Sequence, residues 1–313
     1  MKDVLLVGAG YMAKEYVKVL HGLEKSFVVV GRGEESARRF EQEIGTTVVR
    51  GGLSSFIAEQ EALPSYAIVA VGAHELYETT MALLQAGVKH ILSEKPGSLH
   101  IEEFSKLAKE SKKQKAEISI AYNRRFYSST RVAKEYIEED GGVASFQFEF
   151  TEWLHIFEQE RLLEVLPYLF IGNSSHVADL AFFLGGKPKE ISCFRKESSQ
   201  WKGVYTSFVG GGETKKGALF SYQGNWEAPG RWSVEVMTNK RRLIFRPLEK
   251  LQIQQMKSVK VDFADIDYTL DELYKPGLYL ETQAFLDHNF MARDLCSLEE
   301  QLNIFPVYQR MAF

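Results

Sequence analysis

Three short stretches of the sequence bring together residue types suited to chemistry. Gly8-Ala9-Gly10-Tyr11-Met12-Ala13 follows the apolar run Val4 to Val7 directly and has the GxGxxG/A form. One glycine serves a tight turn and the next lets a backbone come close to a pyrophosphate. The N–H groups of a helix starting at once would then point at the phosphates, with Ala13 still small enough for that helix to pack on the strand. Gly8, Gly10, Tyr11 and Met12 are therefore expected to hold a dinucleotide. Ser93-Glu94-Lys95-Pro96 follows another apolar run, at the strand end where open α/β sheets bind ligands. A lysine placed there could donate a proton or hold a substrate hydroxyl, burial lowering its pKa toward the working range; a surface lysine before a helix-starting proline is the plain alternative. Gly72-Ala73-His74 is a third turn at such an edge, where His74 either borders a cofactor or is simply solvated.

The end of the second strand selects the cofactor. An acid there would hydrogen-bond the ribose of NAD, yet this chain has Gly31-Arg32-Gly33. Arg32 could stack on adenine and pair with the extra phosphate of NADP, since its planar fork suits phosphate. NADP(H) is thus expected in preference to NAD(H), with Glu34 or Glu35 left as possible ribose partners. Asn123 and Arg124 follow the last parallel strand and either reach a cleft or cap the next helix. Trp153, His155, Arg161 and Tyr168 alternate aromatic and polar groups as a sugar pocket does, although core packing explains most of them equally well. Lys112-Lys113-Gln114-Lys115 reads as a solvated helix end. No His, Cys, Asp or Glu spacing suggests a metal and no GxSxG supports a serine hydrolase.

These residues need elements to position them. Strands are expected at Val4 to Val7, Phe27 to Val30, Ala67 to Val71, Val88 to Leu92 and Ile118 to Ala121, with a weaker one at Thr46 to Val49. Amphipathic helices at Met12 to Leu20, Glu34 to Ile44, Leu76 to Ala86 and Ile101 to Lys112 lie between them, the alternation of βαβ units and a parallel sheet. After Tyr122 the style changes. A helix from Arg124 to Glu139, a half-wet strand from Val143 to Trp153, helices at Glu158 to Leu166 and Ser174 to Leu184, and a run of strands from Glu190 to Val261 are expected. Turn signals at Gly210-Gly211-Gly212 and Pro229-Gly230 punctuate that run, as in a meandering antiparallel sheet. Helical periodicity returns near Leu278 to His288 and toward Phe313. Two domains follow, residues 1–121 and 122–313.

Composition narrows the partners. The 313 residues suffice for two domains with cores of their own, and 45% hydrophobic with 26% charged residues is ordinary globular usage. A formal charge of −4 gives no pull toward nucleic acid or anionic lipid. Cys193 and Cys296 stand far apart, so no disulfide framework is indicated and a reducing cytoplasm is the simplest home. Neither a signal peptide nor a membrane-spanning run is apparent.

In order and spacing, Gly8 to Ala13, Ala86 to Pro96 and Tyr122-Asn123-Arg124-Arg125-Phe126 resemble the Gfo/Idh/MocA oxidoreductases. The resemblance implies a Rossmann domain followed by an α/β domain whose open, mainly antiparallel sheet often forms a subunit interface, hence a homo-oligomer. It also implies a place for Lys95 in the active site, often before a cis bond to proline, and for Glu94 beside the cofactor. The family's second signature, Asp-x-Gly-x-His-x-x-Asp, has its counterpart in Gly172 to Asp179. His176 and Asp179 match, while Gly172 replaces the first aspartate and Ser174 the glycine. Proton transfer is then expected from Lys95 and His176 alone, with Asn123, Arg124, Trp153, Tyr168 and Asp179 around the substrate. The implied activity is hydride transfer between a nicotinamide and a hydroxyl or keto carbon of a sugar or nucleotide-linked sugar. A non-catalytic nucleotide-responsive protein, or transient use of NAD for elimination, are the alternatives.

Overall fold

The computed structural model describes residues 2–156 and 164–313. The chain divides into two compact units, one made of the residues up to Asn123 with Leu270–Asn303, the other of Arg124–Thr269 with Ile304–Phe313.

The first unit holds β1 (Val4–Val7), β2 (Phe27–Val30), β3 (Val48–Val49), β4 (Tyr66–Val69), β5 (His90–Glu94) and β6 (Glu117–Ala121). They pair in parallel in the order β3-β2-β1-β4-β5-β6, and a two-residue strand, Cys296–Ser297, adds antiparallel to β6. All four residues of β1 are buried, as expected of a strand covered on both faces. The connecting helices are α1 (Tyr11–Gly22), α2 (Glu34–Ile44), α3 (Gly52–Glu59), α4 (Leu76–Gln85) and α5 (Ile101–Gln114). Helix α3 was not expected, because its eight residues bury only Phe56 and carry little periodic signal. Strand β5 ends two residues later than expected, so Glu94 is its last residue rather than part of the loop.

The expected division at residues 121 and 122 differs from the observed one, because Leu270–Asn303 joins the first unit. Helix Leu278–Asp287 buries Leu278 and Phe285 in the same apolar cluster as Val4, Tyr16 and Leu20. Cys296 also pairs with Ile120. Hydrophobic burial against α1 outweighs the sequence distance, which a window of local pattern cannot register.

In the second unit α6 (Ser128–Glu139) and β7 (Ser145–Glu149) are shorter than expected, with a 3-10 turn at Asn123–Phe126 before α6. β8 (Pro188–Glu197), β9 (Tyr205–Thr214), β10 (Leu219–Asn225), β11 (Ser233–Met237), β12 (Arg241–Phe245), β13 (Gln252–Gln255) and β14 (Val261–Phe263) complete the sheet. Its order is β14-β13-β12-β11-β7-β10-β9-β8, antiparallel except that β7 and β10 run parallel. The Gly210-Gly211-Gly212 run expected as a turn instead lies inside β9. A Cβ at Gly212 would stand 1.9 Å from the Glu190 carbonyl oxygen, so the glycines allow a close strand pairing rather than a reversal.

Helix α7 (Ser175–Gly185) covers one face of this sheet and follows a π-helical turn at Phe170–Ser174. Phe146, Phe148, Phe182 and Phe220 interlock beneath it, with Phe182 meeting Phe220 edge-on at 5.3 Å. Gly185 is required there, since a Cβ would meet the Phe146 ring at 2.3 Å. The helix expected from Glu158 to Leu166 lies mostly outside the described residues, as does Arg161. Among the described residues no helix is long and apolar enough to cross a membrane.

Candidate functional site

A cavity of about 620 Å³ opens over the carboxyl ends of β1, β2 and β4, where the strand order reverses. Gly8, Gly10, Tyr11, Met12, Arg32 and Gly72 all line it. Gly8 has φ +123°, and a Cβ would lie 2.2 Å from the Ala70 carbonyl oxygen, so only glycine fits. Its N–H donates to the Val30 carbonyl at 2.8 Å, tying the loop to β2. Gly10 serves a different purpose. Its backbone is extended and a Cβ would meet nothing within 4 Å, so the missing side chain simply keeps the cavity floor clear. As N-cap of α1 it offers no side-chain acceptor, and the first turn carries no acid. The cavity thus has a dinucleotide's cradle: bare backbone, a helix N-terminus, and one cation at the far strand end.

That cation is Arg32, exposed and paired through Nη1 with Glu75 Oε1 at 2.5 Å. Glu34 is bonded to Arg50 and Glu35 to Arg39, so the two acids considered as ribose partners are already engaged. The carboxylate that does line the cavity is Glu75, which the sequence reading passed over in favour of its neighbour His74. His74 stands exposed in the same 3-10 turn, Ala73–Glu75. Ser36 is a further lining residue not foreseen.

Lys95 is half-buried immediately after β5, and the Lys95-Pro96 bond is cis, as the resemblance implied. Gln301, fully buried, donates through Nε2 to the Pro96 carbonyl at 3.1 Å and to the Tyr122 hydroxyl at 3.2 Å, fixing the turn. Glu94 points inward. Its Oε1 accepts from the hydroxyl of fully buried Tyr16 at 2.9 Å, so its side chain braces α1. Burial raises the Glu94 pKa, against the pull of Lys95, the Tyr16 hydrogen bond and Lys275. Burial also pushes the Tyr16 hydroxyl well up, helped by Glu94 and Glu281. Asn123 is engaged by the backbone. Its Nδ2 donates to the Pro276 carbonyl at 2.8 Å and it is 5% exposed, so its amide holds the chain's return.

In the second unit Asp179 is likewise engaged. Arg125 donates to it through Nε at 2.8 Å and Nη2 at 2.5 Å, with both side chains buried. His176 is the second residue of α7 and is 7% exposed. The turn before it carries a carboxylate that sequence reasoning missed. Asn173 Nδ2 donates to Glu152 Oε2 at 2.9 Å and Ser174 Oγ to Glu152 Oε1 at 2.5 Å. Glu152 is 2% exposed; burial raises its pKa while Ser174, Arg231, Asn173 and the Trp232 indole favour the charged form. A Cβ on Gly172, in the same turn, would meet nothing within 4 Å.

Arg124 and Trp153 come together around residues the sequence marked only as a turn. Trp153 donates through Nε1 to the Gly230 carbonyl at 2.7 Å. Arg231 lies 4.6 Å from its ring and 4.2 Å from that of Trp232, and Arg124 lies 4.7 Å from Trp232. Tyr168 sits half-buried in a separate 3-10 turn, Leu166–Tyr168. Nothing local distinguishes Arg231 or Trp232 from ordinary strand-entry residues; only Pro229-Gly230 signals the bend that presents them.

Residues 2–122 match the profile of an oxidoreductase family with an NAD-binding Rossmann fold. No curated protein matches the sequence. Among solved structures, UDP-N-acetylglucosamine 3-dehydrogenase GnnA from Acidithiobacillus ferrooxidans is similar at a TM-score of 0.78 and 14% identity, over 99% of this chain and 96% of that one. Levoglucosan dehydrogenase in complex with NADH and L-sorbose gives 0.78 and 19%, over 98% and 95%. The WlbA dehydrogenase from Chromobacterium violaceum, in complex with NADH and UDP-GlcNAcA, gives 0.74 and 15%, over 98% and 92%. At these identities the likeness is one of fold.

Proposed function

We propose that this chain, whose residues 2–122 match the NAD-binding Rossmann profile of the Gfo/Idh/MocA oxidoreductases, is an NADP(H)-preferring dehydrogenase or reductase of a sugar or nucleotide-linked sugar. The nicotinamide, when bound, gives or takes a hydride at a carbon bearing a hydroxyl or keto group. The open side of Gly10 supports this most directly, because it leaves the N-terminal N–H groups of α1 accessible to a pyrophosphate in a cavity of dinucleotide size. The substrate class is drawn from GnnA, levoglucosan dehydrogenase and WlbA, whose names and bound molecules are sugars or UDP-sugars.

Arg32 underlies the preference for NADP(H). Its exposed pair with Glu75 is of the kind worth about 0–1 kcal/mol and yields readily to a phosphate held bidentately. Glu75, released, would repel a second anion no more than solvent screening permits. Lys95 is assigned to the substrate oxygen, where its ammonium stabilises a developing alkoxide and supplies the proton in the reducing direction. His176 is assigned the second proton-transfer role. We further place the protein in the cytoplasm as a homo-oligomer formed through the open face of the eight-stranded sheet, where Phe194, Val209 and Leu219 stand exposed.

The test is a panel of keto-sugars and UDP-sugars followed by nicotinamide absorbance, together with NADPH and NADH titrations of the wild type and Arg32→Ala. Consumption of NADPH with one panel member is expected. Arg32→Ala should weaken NADPH by about tenfold or more, as loss of a charged hydrogen bond does, and leave NADH nearly unchanged. Equal affinity for both cofactors in the wild type would end the NADP assignment.

A further inference from the structure

Within the second unit, the Arg231 guanidinium lies over the indoles of both Trp153 and Trp232, and Arg124 lies over Trp232 as well. Stacking fixes the plane of a guanidinium and leaves its N–H edge free for a planar anion. Four arginines of this unit, Arg125, Arg241, Arg242 and Arg246, pair with carboxylates. Arg124 and Arg231 make no such pair among the described residues, and the buried Nε of Arg124 has no hydrogen-bond partner among them. Burial raises the pKa of Glu152 despite the opposing pull of Arg231, and both of its oxygens are engaged by Asn173 and Ser174. Trp153 is 42% exposed and anchored through the Gly230 carbonyl, so the stack is held in place and open to solvent. Two guanidiniums on aromatic faces, neither in a salt bridge among the described residues, make a place for an anion.

We infer that Arg124 and Arg231, stacked on Trp232, form an anion-binding subsite, and that the substrate carries a phosphate or carboxylate group rather than being a neutral sugar. The substrate part of this rests on the oxidoreductase reading above; the anion site does not. A diphosphate and a sugar carboxylate present the same paired oxygens to a guanidinium fork, so both sources are to be compared.

The experiment is calorimetric titration of the full chain, with saturating NADPH, by UDP, by glucuronate and by glucose. UDP or glucuronate should bind and glucose should not, with affinity falling as salt is raised. Whichever anion binds identifies the source. Arg124→Ala and Arg231→Ala should each weaken that anion at least tenfold, and Arg→Lys should restore it only in part, because the fork and the stack are lost. Arg→Gln at either position, which keeps most of the stem, replaces any alanine variant that fails to fold. The inference is overturned if neither anion binds the wild type, or if folded Arg124 and Arg231 variants keep its affinity. Turnover of a neutral sugar with an unchanged KM in Arg231→Ala would also overturn it while leaving the oxidoreductase reading intact. Loss of the latter would show instead as failure to bind NADPH, with UDP or glucuronate affinity unaffected.

Discussion

Arg125 grips Asp179 with two hydrogen bonds, at 2.8 and 2.5 Å, and their side chains are 4% and 2% exposed. The pair ties the turn ahead of α6 to the middle of α7, and Phe183 covers the guanidinium at 4.8 Å. A buried charge left without its partner is costly. Asp179→Ala should therefore lower unfolding free energy by about 3–5 kcal/mol, read from urea denaturation. The double variant Arg125→Met with Asp179→Leu should recover most of the loss. Wild-type stability in Asp179→Ala would show that the pair contributes little.

The two glycines of the nucleotide loop should separate folding from binding. Gly8→Ala places a methyl 2.2 Å from a carbonyl oxygen at φ +123°, so reduced thermal stability and soluble yield are expected. The Cβ of Gly10→Val meets no protein atom within 4 Å, so its melting temperature should stay near that of the wild type. Its NADPH affinity, measured by fluorescence, should fall at least tenfold because the side chain occupies the phosphate's approach. Unaltered NADPH binding in Gly10→Val would argue against the assigned position of the pyrophosphate.

Lys95→Met removes the ammonium while keeping most of the stem. With NADPH binding retained, turnover should drop by about 10²–10⁴-fold, the usual share of a positioned acid or base. His176→Asn should lower turnover as well. Full activity in Lys95→Met would withdraw its catalytic assignment.

Glu94 makes stability depend on pH in a definite direction. Burial lifts its folded pKa above the ordinary carboxyl value of 4.5, so above that pH the folded state binds more protons than the unfolded chain. Its contribution is fully present below the unfolded value and is lost as pH rises through the raised folded one. Glu152 acts in the same sense. Glu94→Gln keeps an acceptor for the Tyr16 hydroxyl but cannot ionise, so the fall in urea midpoint from acid toward neutral pH should be shallower than in the wild type. An identical slope would mean that Glu94 titrates at its ordinary value.

The periodicity of the first 120 residues was enough to place the parallel strands and most crossover helices, because each element there is a local run with its own apolar face. The glycine loop was legible for the same reason: strand, turn and helix are contiguous, and their spacing alone specifies a bare backbone at Gly8 and Gly10. The second unit was less legible. The glycine run in β9 looks like a turn until the neighbouring strands press against it, and the parallel pairing of β7 with β10 leaves no mark in either segment.

Side-chain roles divided along the same line. Residue type and position singled out Arg32, and the family resemblance Lys95 and His176, but not whose charge each neighbour would meet. Asp179 and Asn123 looked available to a substrate until the fold supplied Arg125 and the Pro276 carbonyl as partners. Glu152, Arg231 and Gln301 gave no local sign of a role, since each depends on residues far away in the sequence: Asn173, Trp153 and Pro96. Local sequence determines which elements form and which chemical groups they carry. Only tertiary packing decides which of those groups are buried and paired, because desolvation and hydrogen bonding act across space.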